Sequence, residues 1–82
     1  MQSEMIIDLR QLYQEKALFS DLQKYVEQVL GMIKGGEEVT LTGQAPVWLY
    51  LKVAHALHGK VRKLTYSSPV TGDVVIFDHS PF

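Results

Sequence analysis

Two histidines, His55 and His58, close the run LTGQAPVWLYLKVAHALHG, residues 41–59. Three residues apart on a helix, they occupy neighbouring positions on one side and could reach a shared ligand. A zinc site needs a third protein ligand. His79 or Asp78 would supply it only if the fold brought them close. His58 alone has a second chemistry, as a proton donor or acceptor near neutral pH. The structural alternative is a half-buried histidine with one hydrogen bond. Lys60, Arg62 and Lys63 follow at once and suit phosphates. On a strand Arg62 and Lys63 point to opposite faces, so the three bases cannot all serve one site.

The same run starts with a different chemistry. TGQAP joins an alternating stretch, EVTLT, to a helix expected over about Pro46 to His58. Gly43 lets the backbone turn sharply, and Pro46 fits a first helical turn, where its missing N–H costs nothing. Free N–H groups at a helix start carry partial positive charge, so this turn is a candidate phosphate site. It is not a Walker A or dinucleotide fingerprint, since the spacing and the P-loop lysine are missing.

Charge is distributed unevenly. The net value is −1, but residues 39–72 hold no acid and four bases, Lys52, Lys60, Arg62 and Lys63. Such a run creates a positive potential that could attract an anion, unless it is only a solvated face. No acid lies near the Gly43 turn in the sequence.

The elements that must hold these groups are few. The 82 residues suffice for a single domain, 1–82, with a modest core. MIIDL reads as a buried strand, and residues 11–18 as loop or a second short strand. Leu22, Tyr25, Val26, Val29, Leu30 and Ile33 share one face of an amphipathic helix. Ser20 with Gln23 forms a capping-box pattern at its start, and Lys34-Gly35-Gly36 stops it. The second helix is apolar almost all round, so it should meet the sheet on one side. Another side could meet a second subunit with Trp48 as anchor, unless Trp48 merely fills the core. VRKLTY and DVVIF, joined by SSPVTG, read as an antiparallel pair. The order strand–helix–strand–helix–strand–strand predicts an α/β fold. Its mixed sheet should have about four strands, with two main helices on one or both faces.

Cysteine is absent, which removes disulfides and thiolate chemistry. MQSEMIIDLR lacks the basic start and apolar run of a signal peptide. No stretch approaches the roughly 18 apolar residues of a membrane span. A cytoplasmic location is expected, with no membrane partner and no double-stranded DNA.

Gly43-x-x-Pro46-x-Trp48-Leu49, then Ala54-His55-x-x-His58, then a strand ending in Tyr66 and TGDVVIF carry a resemblance. Over roughly residues 39–77 the chain resembles the small CRISPR-associated ring nuclease family Csx-three. The resemblance implies binding of cyclic tetra-adenylate, the second messenger of type III CRISPR antiviral defence. It also implies cleavage with manganese between dimers that sandwich the ring. It places Gly43, Gln44, Ala45, Pro46 and Trp48 at the ligand-facing turn, His58 on the catalytic histidine, and Tyr66 before the catalytic acid. Ser67 stands where that acid would be, the loop's arginine is absent, and SSPVTG is one residue longer.

The expected function is therefore binding of a cyclic oligoadenylate, with cleavage as a ring nuclease left open. The expected ligand-binding set is Thr42, Gly43, Gln44, Ala45, Pro46, Trp48, His55, Tyr66 and Ser67, with His58 catalytic. No metal site is assigned, and manganese enters only with catalysis. A ring with four phosphates is too large for this monomer to enclose, so a homo-oligomer, dimer or tetramer, is expected. Two alternatives stand beside it. One is an oligomeric interaction module without nucleotide. The other is a metal-dependent RNA phosphodiesterase using His55 and His58.

Overall fold

The structure, a computed structural model, describes residues 4–79. Its elements run β1 (Glu4–Asp8), α1 (Leu22–Met32), β2 (Glu38–Thr42), α2 (Val47–Leu57), β3 (Lys63–Ser68) and β4 (Gly72–Asp78). The four strands form one sheet in the order β1-β2-β3-β4. β1, β2 and β3 are parallel, and β4 is antiparallel to β3. This is the expected small α/β fold with a mixed sheet and two helices.

Right-handed crossovers between adjacent parallel strands put both helices on one face. The core confirms it. Ile7, Val39, Leu41 and Leu64 alternate along their strands and meet Tyr25 and Val29 of α1 and Leu49, Val53 and Leu57 of α2. The other face carries the row Ile6, Thr40, Thr65 and Val75, and Ile6 is 75% exposed. A bulge between Leu64 and Thr65 shifts the pairing so that Leu64 faces Phe77 and Thr65 faces Val75. One extra residue in β4 thereby turns Ile76 toward the helix side.

Helix α1 departs from the sequence expectation at both ends. Ser20 does not cap it. Phe19–Asp21 forms a 3-10 turn instead, closed by Asp21 N–H donating to Leu18 O at 2.9 Å, and Asp21 makes no side-chain cap bond. At the other end α1 stops at Met32, and Ile33 is already extended. The Glu37 carboxylate competes for the following N–H groups. Lys34 and Gly35 each donate to it at 2.7 Å. That carboxyl is buried, and the Lys34 N–H above all holds it below the usual carboxylate range; partial desolvation opposes and the Gly35 N–H assists.

Residues 11–18 contain no strand. Leu9–Leu12 is a 3-10 turn, capped by Asp8, whose carboxylate accepts from Arg10 N at 2.9 Å. An irregular segment continues to Phe19.

Candidate functional site

The parallel strands end together at Asp8, Thr42 and, on β3, Ser67 and Ser68. In open α/β sheets the crevice beyond these carboxyl ends is where ligands bind. Here it holds a cavity of about 810 Å³, partly open to solvent. Thr42, Gly43, Gln44, Ala45, Tyr66 and Ser67, six of the residues expected from sequence, line it. Val47, Leu51 and Ile76 make it strongly apolar on one side.

The turn into α2 is built tightly. Gly43 has φ +103, which an L side chain rarely adopts. A Cβ there would also overlap the Asp8 carboxylate. So an acid does lie against this turn, contrary to the sequence expectation. β1 and β2 are register partners at Asp8 and Thr42, and that pairing brings together residues 34 positions apart. Pro46 is the N-cap of α2 and provides no side-chain cap bond. The first N–H groups of α2 therefore lack the usual side-chain acceptor.

Two tyrosines hold the turn. Tyr50, on α2, donates its hydroxyl hydrogen to Gly43 O, and Tyr13 donates to Gln44 O at 2.7 Å. Tyr50 also packs edge-on against Tyr66, centroids 5.0 Å apart. Desolvation pushes the Tyr50 pKa up to about 12, aided by Tyr66 and by the Asp8 charge. Tyr50 therefore remains a hydrogen-bond donor across the whole physiological range. The sequence pattern singles out neither Tyr50 nor Tyr13 for this role. Tyr50 was detectable as the tyrosine one turn into α2. Tyr13 carried no local signal, because its partner is 31 residues away.

The remaining expected residues lie elsewhere. Trp48 turns from the cavity and meets Phe19 edge-on, centroids 5.3 Å apart, against the core of its own chain. His55 is exposed on α2. His58 is the C-cap of α2, and an 11-residue helix puts it about 16 Å from the Gly43 turn. It is exposed, not half-buried. Its partner is His79, not His55. The two Nε2 atoms are 3.2 Å apart, and Phe77 packs edge-on against the His58 ring. A backbone bond from His79 N to Arg62 O, 2.7 Å, fixes that approach.

The bases gather at the histidine end as well. Lys63 stands beside Glu38 and Asp78 in the sheet register, and Arg62 pairs with Glu38 at 3.0 Å. The acid-free run thus acquires acids from β2 and β4. Among the cavity-lining residues there is no lysine, arginine or histidine. The molecule has two poles, a turn-and-cavity end and a histidine-and-base end.

Manganese prefers oxygen ligands. Among the described residues no three histidines, aspartates or glutamates cluster as a metal would require, and His58 with His79 offers two nitrogens alone. These residues do not fit a manganese centre within one chain. No helix among the described residues is long and apolar enough to cross a membrane.

Residues 15–82 match the family described as CRISPR-associated protein (Cas_csx3). Neither the curated proteins nor the solved structures contain a match to the chain.

Proposed function

Since this chain belongs to the CRISPR-associated family Cas_csx3, we propose that it binds a cyclic oligoadenylate, cyclic tetra-adenylate first, at the Gly43–Pro46 turn. The observation that carries this reading is the cavity of about 810 Å³ beside the uncapped start of α2. Backbone N–H groups there suit a phosphate, and Tyr50 and Tyr66 give an aromatic wall for a base. The defence system it serves is of type III, and the protein acts in the cytoplasm.

The separation of the two poles supports a reading with more than one copy. The cavity has no cation of its own, and His58 lies at the far end of α2. A ring seated on one protomer's turn meets Lys60, Arg62, Lys63 and His58 only from another protomer. A homo-oligomer, dimer or tetramer, is therefore part of the proposal. Binding is the primary activity. Cleavage would have His58 of the facing copy take the proton of a ribose 2′-hydroxyl as that oxygen attacks the adjacent phosphorus, while the P–O5′ bond breaks and solvent water protonates the departing 5′-oxygen. Ser67 cannot replace an acid in that step, and SSPVTG has no arginine for the developing charge, so cleavage is slow.

Titration of the protein with cyclic tetra-adenylate tests the reading, and no binding at micromolar protein would overturn it. Chromatography of the ligand after incubation, with and without manganese, then separates sensor from nuclease. An unchanged cleavage rate in His58→Ala would remove that histidine from the chemistry.

A second reading has its own observation. Val47 and Leu51 are 72% and 65% exposed on one stripe of α2, with Ile76 facing them across the cavity. An interaction module using that surface would self-associate without nucleotide. Assembly unaffected by the ring, together with absent binding, favours it. The RNA phosphodiesterase reading would be favoured by degradation of linear RNA in preference to the ring.

A further inference from the structure

The carbonyl oxygens of Gly43 and Gln44 are each taken by a tyrosine hydroxyl from a different part of the chain. Tyr50 comes from α2 itself. Tyr13 comes from the irregular segment after β1. That segment is itself braced, since Arg10 Nη1 donates to Tyr13 O at 2.9 Å and the guanidinium lies 4.9 Å over the Tyr13 ring. Peptide units are planar and trans here, so each N–H points opposite to its carbonyl. With both carbonyls held toward the tyrosines, Gln44 N–H and Ala45 N–H are turned the other way. Among the described residues neither donates to a protein acceptor.

We propose that Tyr13 and Tyr50 are positioning residues, a two-sided clamp that presets the Gly43–Ala45 peptides with their N–H groups outward for a phosphate. The inference rests on the ring-binding reading above. Neither hydroxyl touches the ligand in this scheme, because each is already committed to a carbonyl. Their effect is preorganisation: the turn does not have to be ordered at the moment of binding. A turn held from one side alone could rotate its peptides; hydroxyls from two separate segments prevent that.

The test uses Tyr13→Phe and Tyr50→Phe, which keep the rings and delete the hydroxyls. Tyr25→Phe is the control. Its hydroxyl makes a backbone bond away from the turn, of opposite direction, accepting from Leu18 N at 3.1 Å, and the substitution keeps the ring that packs 6.1 Å from Tyr13. Three quantities are measured: affinity for cyclic tetra-adenylate, thermal midpoint, and NMR order parameters of the Gln44 and Ala45 N–H bonds without ligand. The clamp predicts about five- to tenfold weaker binding in each of Tyr13→Phe and Tyr50→Phe, the effect of one lost hydrogen bond. It also predicts lower order parameters at both amides. Tyr25→Phe should lower the midpoint and do neither. Because both hydroxyls hold one turn, the double variant should lose less than the product of the single losses.

Unchanged affinity in both single variants overturns the clamp. So does weaker binding with unchanged order parameters, since the hydroxyls would then act on the ligand directly. If the unmodified protein binds no ring at all, the phosphate reading falls, and the order parameters alone judge the clamp. Values lower than in Tyr25→Phe uphold it, and equal values overturn it.

Discussion

The space that a side chain at residue 43 would need is filled by Asp8. A Cβ on Gly43 would overlap Asp8 Oδ1 and come within 3.1 Å of Arg10 N. With φ +103, the position is closed to other residues by backbone as well as by contact. Gly43→Ala should destabilise the domain by roughly 2–4 kcal/mol, seen as a lower urea midpoint. Adding Asp8→Ala should recover part of that loss, the part due to overlap. A double variant no better than Gly43→Ala would leave the backbone angle as the whole cause.

Tyr50 gives the domain an alkaline limit. Its folded pKa, about 12, lies above the ordinary tyrosine value near 10. The unfolded chain therefore loses this proton first as pH rises. The contribution is intact below about pH 10 and disappears as pH climbs through the folded value. Chemical denaturation between about pH 8 and 12 should show stability falling over that interval. Tyr50→Phe should flatten the fall while lowering stability at neutral pH through the lost bond to Gly43 O.

Glu37 sets the opposite limit. Its carboxyl titrates lower in the folded protein than in the unfolded chain, chiefly because Lys34 N–H donates to it. Its contribution is complete above the unfolded value and is lost as pH falls through the folded one. Glu37→Gln should be less stable than the parent at pH 7. The two urea midpoints should draw together in acid, and midpoints that stay a constant distance apart would show that the charge is not the cause.

Two leucines two residues apart on α2 should behave oppositely. Leu49 is 0% exposed in the core, and Leu51 is 65% exposed beside the cavity. Leu49→Ala should cost about 2–5 kcal/mol. Leu51→Ala should change stability by no more than about 0.5 kcal/mol. If Leu51→Ala instead lowers stability in a way that depends on protein concentration, the exposed stripe is an interface between copies.

Much of this molecule could be read from the sequence because it depends on neighbours in the chain. The alternation of EVTLT is β2 residue for residue, and Leu22, Tyr25, Val29 and Leu30 of the expected stripe are the core-facing side of α1. Gly43, Pro46 and Gly59 punctuated α2 correctly, since backbone conformation is a local property. The motif from Gly43 to His58 pointed to the family that residues 15–82 match. What the sequence could not decide were relations between segments far apart in it. Ser20 lost its cap to a 3-10 turn closed by Leu18, and Glu37 ended α1 early by capturing two N–H groups. Parallel pairing placed Asp8 against Gly43, and Tyr13 reached Gln44 across the fold. The rigid length of α2 separated His58 from the turn that its motif shares, and strand pairing set Glu38 and Asp78 beside the bases. Local sequence determines which residues make a turn or a helix. Only the tertiary structure decides which charges and hydroxyls those elements meet, because sheet register and helix length bring them together.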